Sequence, residues 1–309
     1  MSQTTTRSRA HLRRADLLHP TELSRLGNLE FVARKVVEGF LLGLHASPHR
    51  GFSAEFAELK AYQPGDDVRY IDWRMFGRSD RYFVKQFQEE TNLVSHLLLD
   101  ISESMNWKSG TGLLSKLSYG KQLLAALSLL LVRQGDAVGL TAFHDGVPTR
   151  IHPRGGKHHW YELLHRLESL QASGRTNAPS ALTDVARRLR RRGLVVLVSD
   201  LLVDLDRTKN TLRFLRHRGH EVLVLHLLDP GERELPAAGD AWFYDPETQE
   251  EMRVNAADLR ADYRDAVKEA LREWERALRP YGIDYVTVDT DQPLSRVLGA
   301  YLKKRARLG

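Results

Sequence analysis

The sequence predicts an α/β protein built on a doubly wound, mostly parallel sheet, and three observations carry that reading. Short apolar runs bounded by turn residues alternate with segments whose apolar residues recur every three or four positions, the pattern of strands interleaved with helices. Two of the strand-like runs, Leu97-Leu98-Leu99 and Leu194-Val195-Val196-Leu197-Val198, are apolar at every position, as strands covered on both faces are. Pro179 at the first turn of one helical period and Gly193 just past its end supply the usual punctuation of a helix.

Taken in order, residues 1–18 are rich in Ser, Thr and Arg with little to bury, and are expected to be a disordered basic tail. Leu23, Leu26, Leu29, Val32, Val36, Phe40 and Leu44 fall three or four apart and predict a helix over 21–44 that ends before Pro48. Pro64-Gly65 marks a tight turn, and 81–88 reads as a strand. These pieces form an expected N-terminal extension, residues 19–91, packed on a core domain over 92–309. In that domain the pattern predicts strands at 94–99, 138–143, 194–198, 221–228 and 285–288. It predicts helices at 115–133, 160–170, 179–192, 207–218, 259–278 and 294–306. Asp145-Gly146 turns the chain into a strand at 147–152, and residues 242–254, broken at Asp245-Pro246, read as an inserted β-hairpin.

Composition narrows the classes of function. With 42% hydrophobic and 28% charged residues, the chain is that of a globular protein with ample core. No run of eighteen apolar residues is present, so no membrane span is expected, and the basic start lacks the apolar stretch of a secretory signal. The absence of cysteine excludes disulfides and thiolate chemistry and fits a cytoplasmic protein. A net charge of +6 with no aromatic-basic module gives no basis for nucleic-acid binding.

The most informative stretch is Asp100-Ile101-Ser102-Glu103-Ser104, directly after the apolar run. A carboxylate and two hydroxyls at this spacing, at the end of a buried strand, offer three oxygen ligands in one turn. Such a set suits a hard divalent cation, Mg²⁺, Mn²⁺ or Ca²⁺. Because two of the three are neutral, the ion would retain charge for a carboxylate from a partner. Ligands in doubly wound sheets sit at the carboxyl ends of the strands, where Asp200 also lies, and the loop 173–179 brings Thr176 as a further hydroxyl. The competing reading of Asp100 and Ser102 is an N-cap for the next helix.

The set Asp100, Ser102, Ser104, Thr176 and Asp200 resembles the metal-ion-dependent adhesion site of von Willebrand factor A domains. The stretch Glu55-Phe-Ala-Glu-Leu-Lys-Ala-Tyr-Gln-Pro-Gly-Asp-Asp-Val-Arg-Tyr-Ile-Asp-Trp73 is similar to the signature of the bacterial domain-of-unknown-function 58 family. Val198-Ser-Asp-Leu-Leu202 and Leu228-Asp-Pro-Gly-Glu-Arg-Glu-Leu-Pro236 fit it too, over roughly residues 20–308. The resemblance implies a von Willebrand A-like, Rossmann-like α/β domain, no established catalysis, and a MoxR-type AAA+ ATPase as partner. Many relatives carry Gly-Gly-Thr-Asp at the threonine loop, whereas this chain has Gly174-Arg175-Thr176-Asn177.

Other features have plain readings. Asp66, Asp67 and Asp72 with Arg69, Arg74, Arg78 and Arg81 around Trp73 are expected to tie the extension to the sheet, and the alternative is a docking surface. His144, His152, His158, His159 and His165 match no zinc spacing. Gly110-Thr111-Gly112 lacks the Gly-Lys-Ser/Thr of a phosphate loop. The expected function is therefore a non-catalytic, metal-dependent protein-binding module. The alternative is a metal-dependent hydrolase or phosphotransferase using Asp100, although its second Asp would fall at Ser102 and no nucleophile elbow appears.

Overall fold

Val94–Asp100 (β3) shows why the sheet must be covered twice: Leu97 and Leu99 pack into one apolar cluster and Leu98, on the opposite face, into another. The computed structural model describes residues 20–25, 28–46, 59–61, 82–85, 93–110, 112–174, 178–189, 191–235, 240–244 and 251–305. The N-terminal elements are α1 (Pro20–Arg25), α2 (Leu29–Ala46), β1 (Leu59–Ala61) and β2 (Phe83–Lys85). After β3 come α3 (Lys116–Arg133), β4 (Ala137–Phe143), β5 (Thr149–Arg154), α4 (Lys157–Ser169), α5 (Ala178–Arg188) and β6 (Leu194–Ser199). The chain continues with α6 (Leu205–His217), β7 (Glu221–Leu228), α7 (Pro230–Arg233), β8 (Asp240–Tyr244) and β9 (Glu251–Asn255). It closes with α8 (Ala256–Leu278), β10 (Asp284–Asp289) and α9 (Leu294–Arg305).

The main sheet has the order β10-β7-β6-β3-β4-β5, parallel except for β5, which pairs antiparallel at the edge. This is the doubly wound, mostly parallel sheet expected from the sequence. The chain first builds outward from β3 through β4 and β5, then returns to β6 on the other side of β3. The reversal places the topological switch point between β3 and β6, where such folds open a crevice at the strand carboxyl ends. Residues 240–255 form the antiparallel hairpin β8–β9 expected as an insertion. The tail 1–18, the charged block around Trp73 and the Asp245-Pro246 turn lie outside the described residues.

One face of the sheet is covered by α3, α4 and α9, with α2 lying over them; Val32, Val36, Val37 and Phe40 join Leu123, Leu127 and Leu298 in one cluster. At roughly 1.5–3 kcal/mol per buried large apolar side chain, this stripe accounts for why α2 stays on the sheet domain. The predicted helix over 21–44 is divided into α1 and α2, and Asn28 Oδ1 accepts from the amide of Phe31 at the start of the second. The other face carries α5, α6 and α8, through Leu182, Val185, Leu212, Leu215, Trp274 and Leu278. The helix expected to run to Arg192 ends at Arg188, so Gly193 does not cap it but leads directly into β6. A Cβ there would lie 1.9 Å from the carbonyl oxygen of Val94, so β6 can enter beside β3 only with glycine at this point. Among the described residues no helix is long and apolar enough to cross a membrane.

Candidate functional site

Parallel pairing sets Leu99 of β3 against Val198 of β6, and Ser199 of β6 against His226 of β7. Asp100, the last residue of β3, is therefore level with Ser199, and Asp200 follows one residue further on at the switch point. Asp100 is fully buried and Asp200 nearly so. Asp100 Oδ1 accepts from the amide of Ser102 at 3.0 Å, and its Oδ2 from the hydroxyl of Ser199 at 2.7 Å. The hydroxyls of Ser102 and Ser104 lie 3.1 Å apart, and both residues are buried. A short 3₁₀ turn, Glu103–Asn106, follows, and the Ser102 side chain makes no capping hydrogen bond to it. Asp100 instead closes a turn onto the Ser102 amide, and neither side chain caps the 3₁₀ turn.

The threonine loop begins next to this turn. Ser173 donates its amide to the Ile101 carbonyl at 2.9 Å, and the amide of Glu103 donates to the Gly174 carbonyl at 3.1 Å. Gly174 has a φ of 76°, a left-handed conformation that glycine adopts without strain. Thr176 itself lies outside the described residues. On the β6 side, Leu201 has a φ of 51°, uncommon for a residue other than glycine. Its amide donates to Ser199 Oγ at 3.0 Å and its side chain is buried, while Leu202 is turned outward and 61% exposed. Trp107, 51% exposed, stands beyond the 3₁₀ turn on the same crest.

Two residues that the sequence pattern did not mark belong to this cluster. Lys116, the first residue of α3, is fully buried, and its ammonium donates to Asp200 Oδ2 at 2.7 Å and to Glu232 of α7. The backbone of Lys116 is tied to the crest as well, its amide donating to the Trp107 carbonyl at 3.3 Å. Glu232 is part of a reciprocal capping box with Asp229, whose Oδ2 accepts from the Ser109 amide at 3.1 Å. The one available signal was Lys116 itself, a cation in a first helical turn where the dipole disfavours it.

Electrostatics at the site are unbalanced. Burial, then the neighbouring Asp200 carboxylate, pushes the Asp100 carboxyl up to about 6, against the hydrogen bonds from Ser102 and Ser199. Burial also opposes the charge of Lys116, but Asp200 and Glu232 outweigh it and hold the ammonium above its usual value. The Lys116 ammonium contacts two carboxylates, Asp200 and Glu232, while the buried Asp100 and Asp229 accept hydrogen bonds from neutral groups, so negative charge exceeds positive when all are ionised.

The residues present fit a divalent cation. The donors are all oxygen, the cluster carries an excess of negative charge, and the two serine hydroxyls have the right separation. Cis ligands on an octahedral ion with bonds of about 2.1 Å lie about 3.0 Å apart. Among the described residues no group of three or more His, Cys, Asp or Glu side chains is arranged to hold a metal, so a centre here depends on the serines.

A family model described as "Protein of unknown function DUF58" matches residues 58–273. The chain belongs to this family. This DUF58 protein is similar to an uncharacterized protein of Mycobacterium tuberculosis, 29% identical over 299 residues, with 95% of this chain and 93% of the relative covered. An uncharacterized protein of Mycobacterium avium is 30% identical over 164 residues, covering 52% of the DUF58 chain and 95% of its own. Solved structures similar to it include BatB from Bacteroides thetaiotaomicron, at 18% identity and a TM-score of 0.47, with 70% of this chain and 99% of that one covered. Another is the VWA domain of SpRpn10, at 12% identity and a TM-score of 0.42, covering 68% and 95%.

Proposed function

We propose that this protein is a non-catalytic, metal-dependent protein-binding module of the cytoplasm that acts with a MoxR-type AAA+ ATPase in assembling or remodelling other proteins. The observation that carries the reading is the Asp100-Ser102-Ser104 turn meeting Asp200 at the switch point of the sheet, with an excess of buried negative charge. In this reading Asp100, Ser102, Ser104, Thr176 and Asp200 hold Mg²⁺, or Mn²⁺ or Ca²⁺, which when bound supplies a positive pole for an Asp or Glu of the partner.

The chain's own contribution is to place and dry that pole. Ser199 and the Ser102 amide fix the Asp100 carboxylate, so its direction does not depend on a partner. The left-handed turn at Leu201 puts Leu202 outward on the crest that also exposes Trp107, giving apolar surface beside the charged centre. An acidic partner residue flanked by apolar side chains matches that surface. The alternative of a hydrolase or phosphotransferase finds less support, because the second Asp such chemistry uses would fall at Ser102 and the sequence has no nucleophile elbow.

The test is retention of a purified MoxR-type AAA+ ATPase on the immobilised protein, with Mg²⁺ and with EDTA. Retention that requires Mg²⁺ and disappears in Asp100→Ala is expected. Equal retention in EDTA, or none in either condition, overturns the reading.

A further inference from the structure

A lysine buried at the start of a helix carries two costs. The helix dipole disfavours a cation in the first turn, and desolvating an ammonium is expensive unless it is paired. Lys116 bears both, with no exposed side-chain surface, and its α3 has no acidic residue in the first turn to offset the charge. What it gains is contact with two carboxylates from different loops, Asp200 after β6 and Glu232 in α7. One of the two Asp200 oxygens is thereby taken at 2.7 Å, while the other has only a long contact, 3.4 Å, from the amide of Leu202.

We propose that Lys116 is the resident cation of this site: its ammonium competes with a divalent ion for Asp200, and so sets how tightly the site takes up metal. The inference rests on the metal reading above, but it concerns a different residue and a different observable. The ammonium holds one oxygen of Asp200, and an ion entering beside Asp100, Ser102 and Ser104 has to share that carboxylate with it. Because the same ammonium also holds Glu232, and the Asp229–Glu232 box is tied to Ser109, any loosening at Asp200 reaches the turn after β7. Lys116 is thus a positioning residue for the centre.

Calorimetric titration of MgCl₂ into the full chain tests this with wild type, Lys116→Met and the double variant Lys116→Met/Glu232→Gln. The double variant removes one cation and one anion, so the net charge of the site is that of wild type while Asp200 is released. Both variants are expected to bind Mg²⁺ on the order of tenfold or more tightly than wild type. MgCl₂ is also expected to raise their melting temperatures by more than it raises that of wild type, which a purely structural lysine would not produce. Unchanged affinity in the double variant overturns the competition, even if Lys116→Met alone binds tighter through its extra negative charge. Should Lys116→Met fail to fold, the double variant decides. If wild type takes up no Mg²⁺ while the double variant does, the metal-dependent function falls and the role of Lys116 stands. If wild type binds and the double variant matches it, the function stands and this inference falls. Absence of binding in all three removes both.

Discussion

The hydroxyl of Ser199 lies 2.7 Å from Asp100 Oδ2 and donates to it, so one hydrogen bond joins the carboxyl ends of β6 and β3 at the point where the chain reverses its direction across the sheet. Ser199 Oγ at the same time accepts from the amide of Leu201, the residue held in a left-handed conformation. Replacing Ser199 with Ala would leave a buried carboxylate oxygen and a buried amide without partners. The expected loss is about 1–3 kcal/mol of stability, read by chemical denaturation. A change within a few tenths would show that water or relaxation satisfies both groups.

Asp100→Asn tests the charge imbalance directly. The folded state holds the Asp100 carboxyl near 6, above its ordinary 3.8, so above pH 6 its ionisation works against folding and the neutral amide does not. At pH 8 without metal, the variant is expected to melt at or above the wild-type temperature. It should show no further rise with Mg²⁺, whereas wild type should. A clear drop in the metal-free melting temperature would contradict the imbalance.

A pH dependence follows from the opposite end of the sheet. His96 is held down to about 4, first by burial and then by His220, Arg150 and His152, and its Nε2 has no hydrogen-bond partner among the described residues. The unfolded chain takes up this proton near pH 6.5 and the folded one only near 4, so stability falls as pH drops through that window. Asp100 acts in the opposite sense over part of the same range, so the comparison must be differential. His96→Gln is expected to lose less melting temperature than wild type between pH 7 and pH 5. Parallel losses would count against the assignment.

Gly193→Ala is expected to destabilise by about 3 kcal/mol or more, because the added methyl would collide with the Val94 carbonyl rather than with a side chain able to move. Soluble yield and a thermal melt are enough to check it. A near-native melt would mean that β6 and β3 can separate locally at little cost.

Truncation addresses the domain boundaries. Deleting residues 1–18 is expected to be tolerated. Deleting 1–91 would strip Val32, Val36, Val37 and Phe40 from the cluster that includes Leu123 and Leu127, and should give an insoluble or molten sheet domain. A stable fragment beginning near residue 92 would move the boundary.

What the sequence by itself determined was the part governed by local pattern. Apolar runs and helical periods placed β3, β4, β6, β7 and the helices between them, because burial on two faces writes itself into consecutive residues. The ends of strands rich in Leu and Val pointed to Asp100 and Asp200, and the spacing of Ser102 and Ser104 marked the turn. Tertiary structure alone decided what surrounds those carboxylates. Ser199, Lys116 and Glu232 sit 99, 16 and 132 residues from Asp100 in the chain; the first and last reach the site because parallel pairing brings β3, β6 and β7 side by side, and Lys116 because α3 packs on those strands. Their contribution is electrostatic, and charge balance depends on distance and burial in three dimensions, which no spacing along the chain encodes.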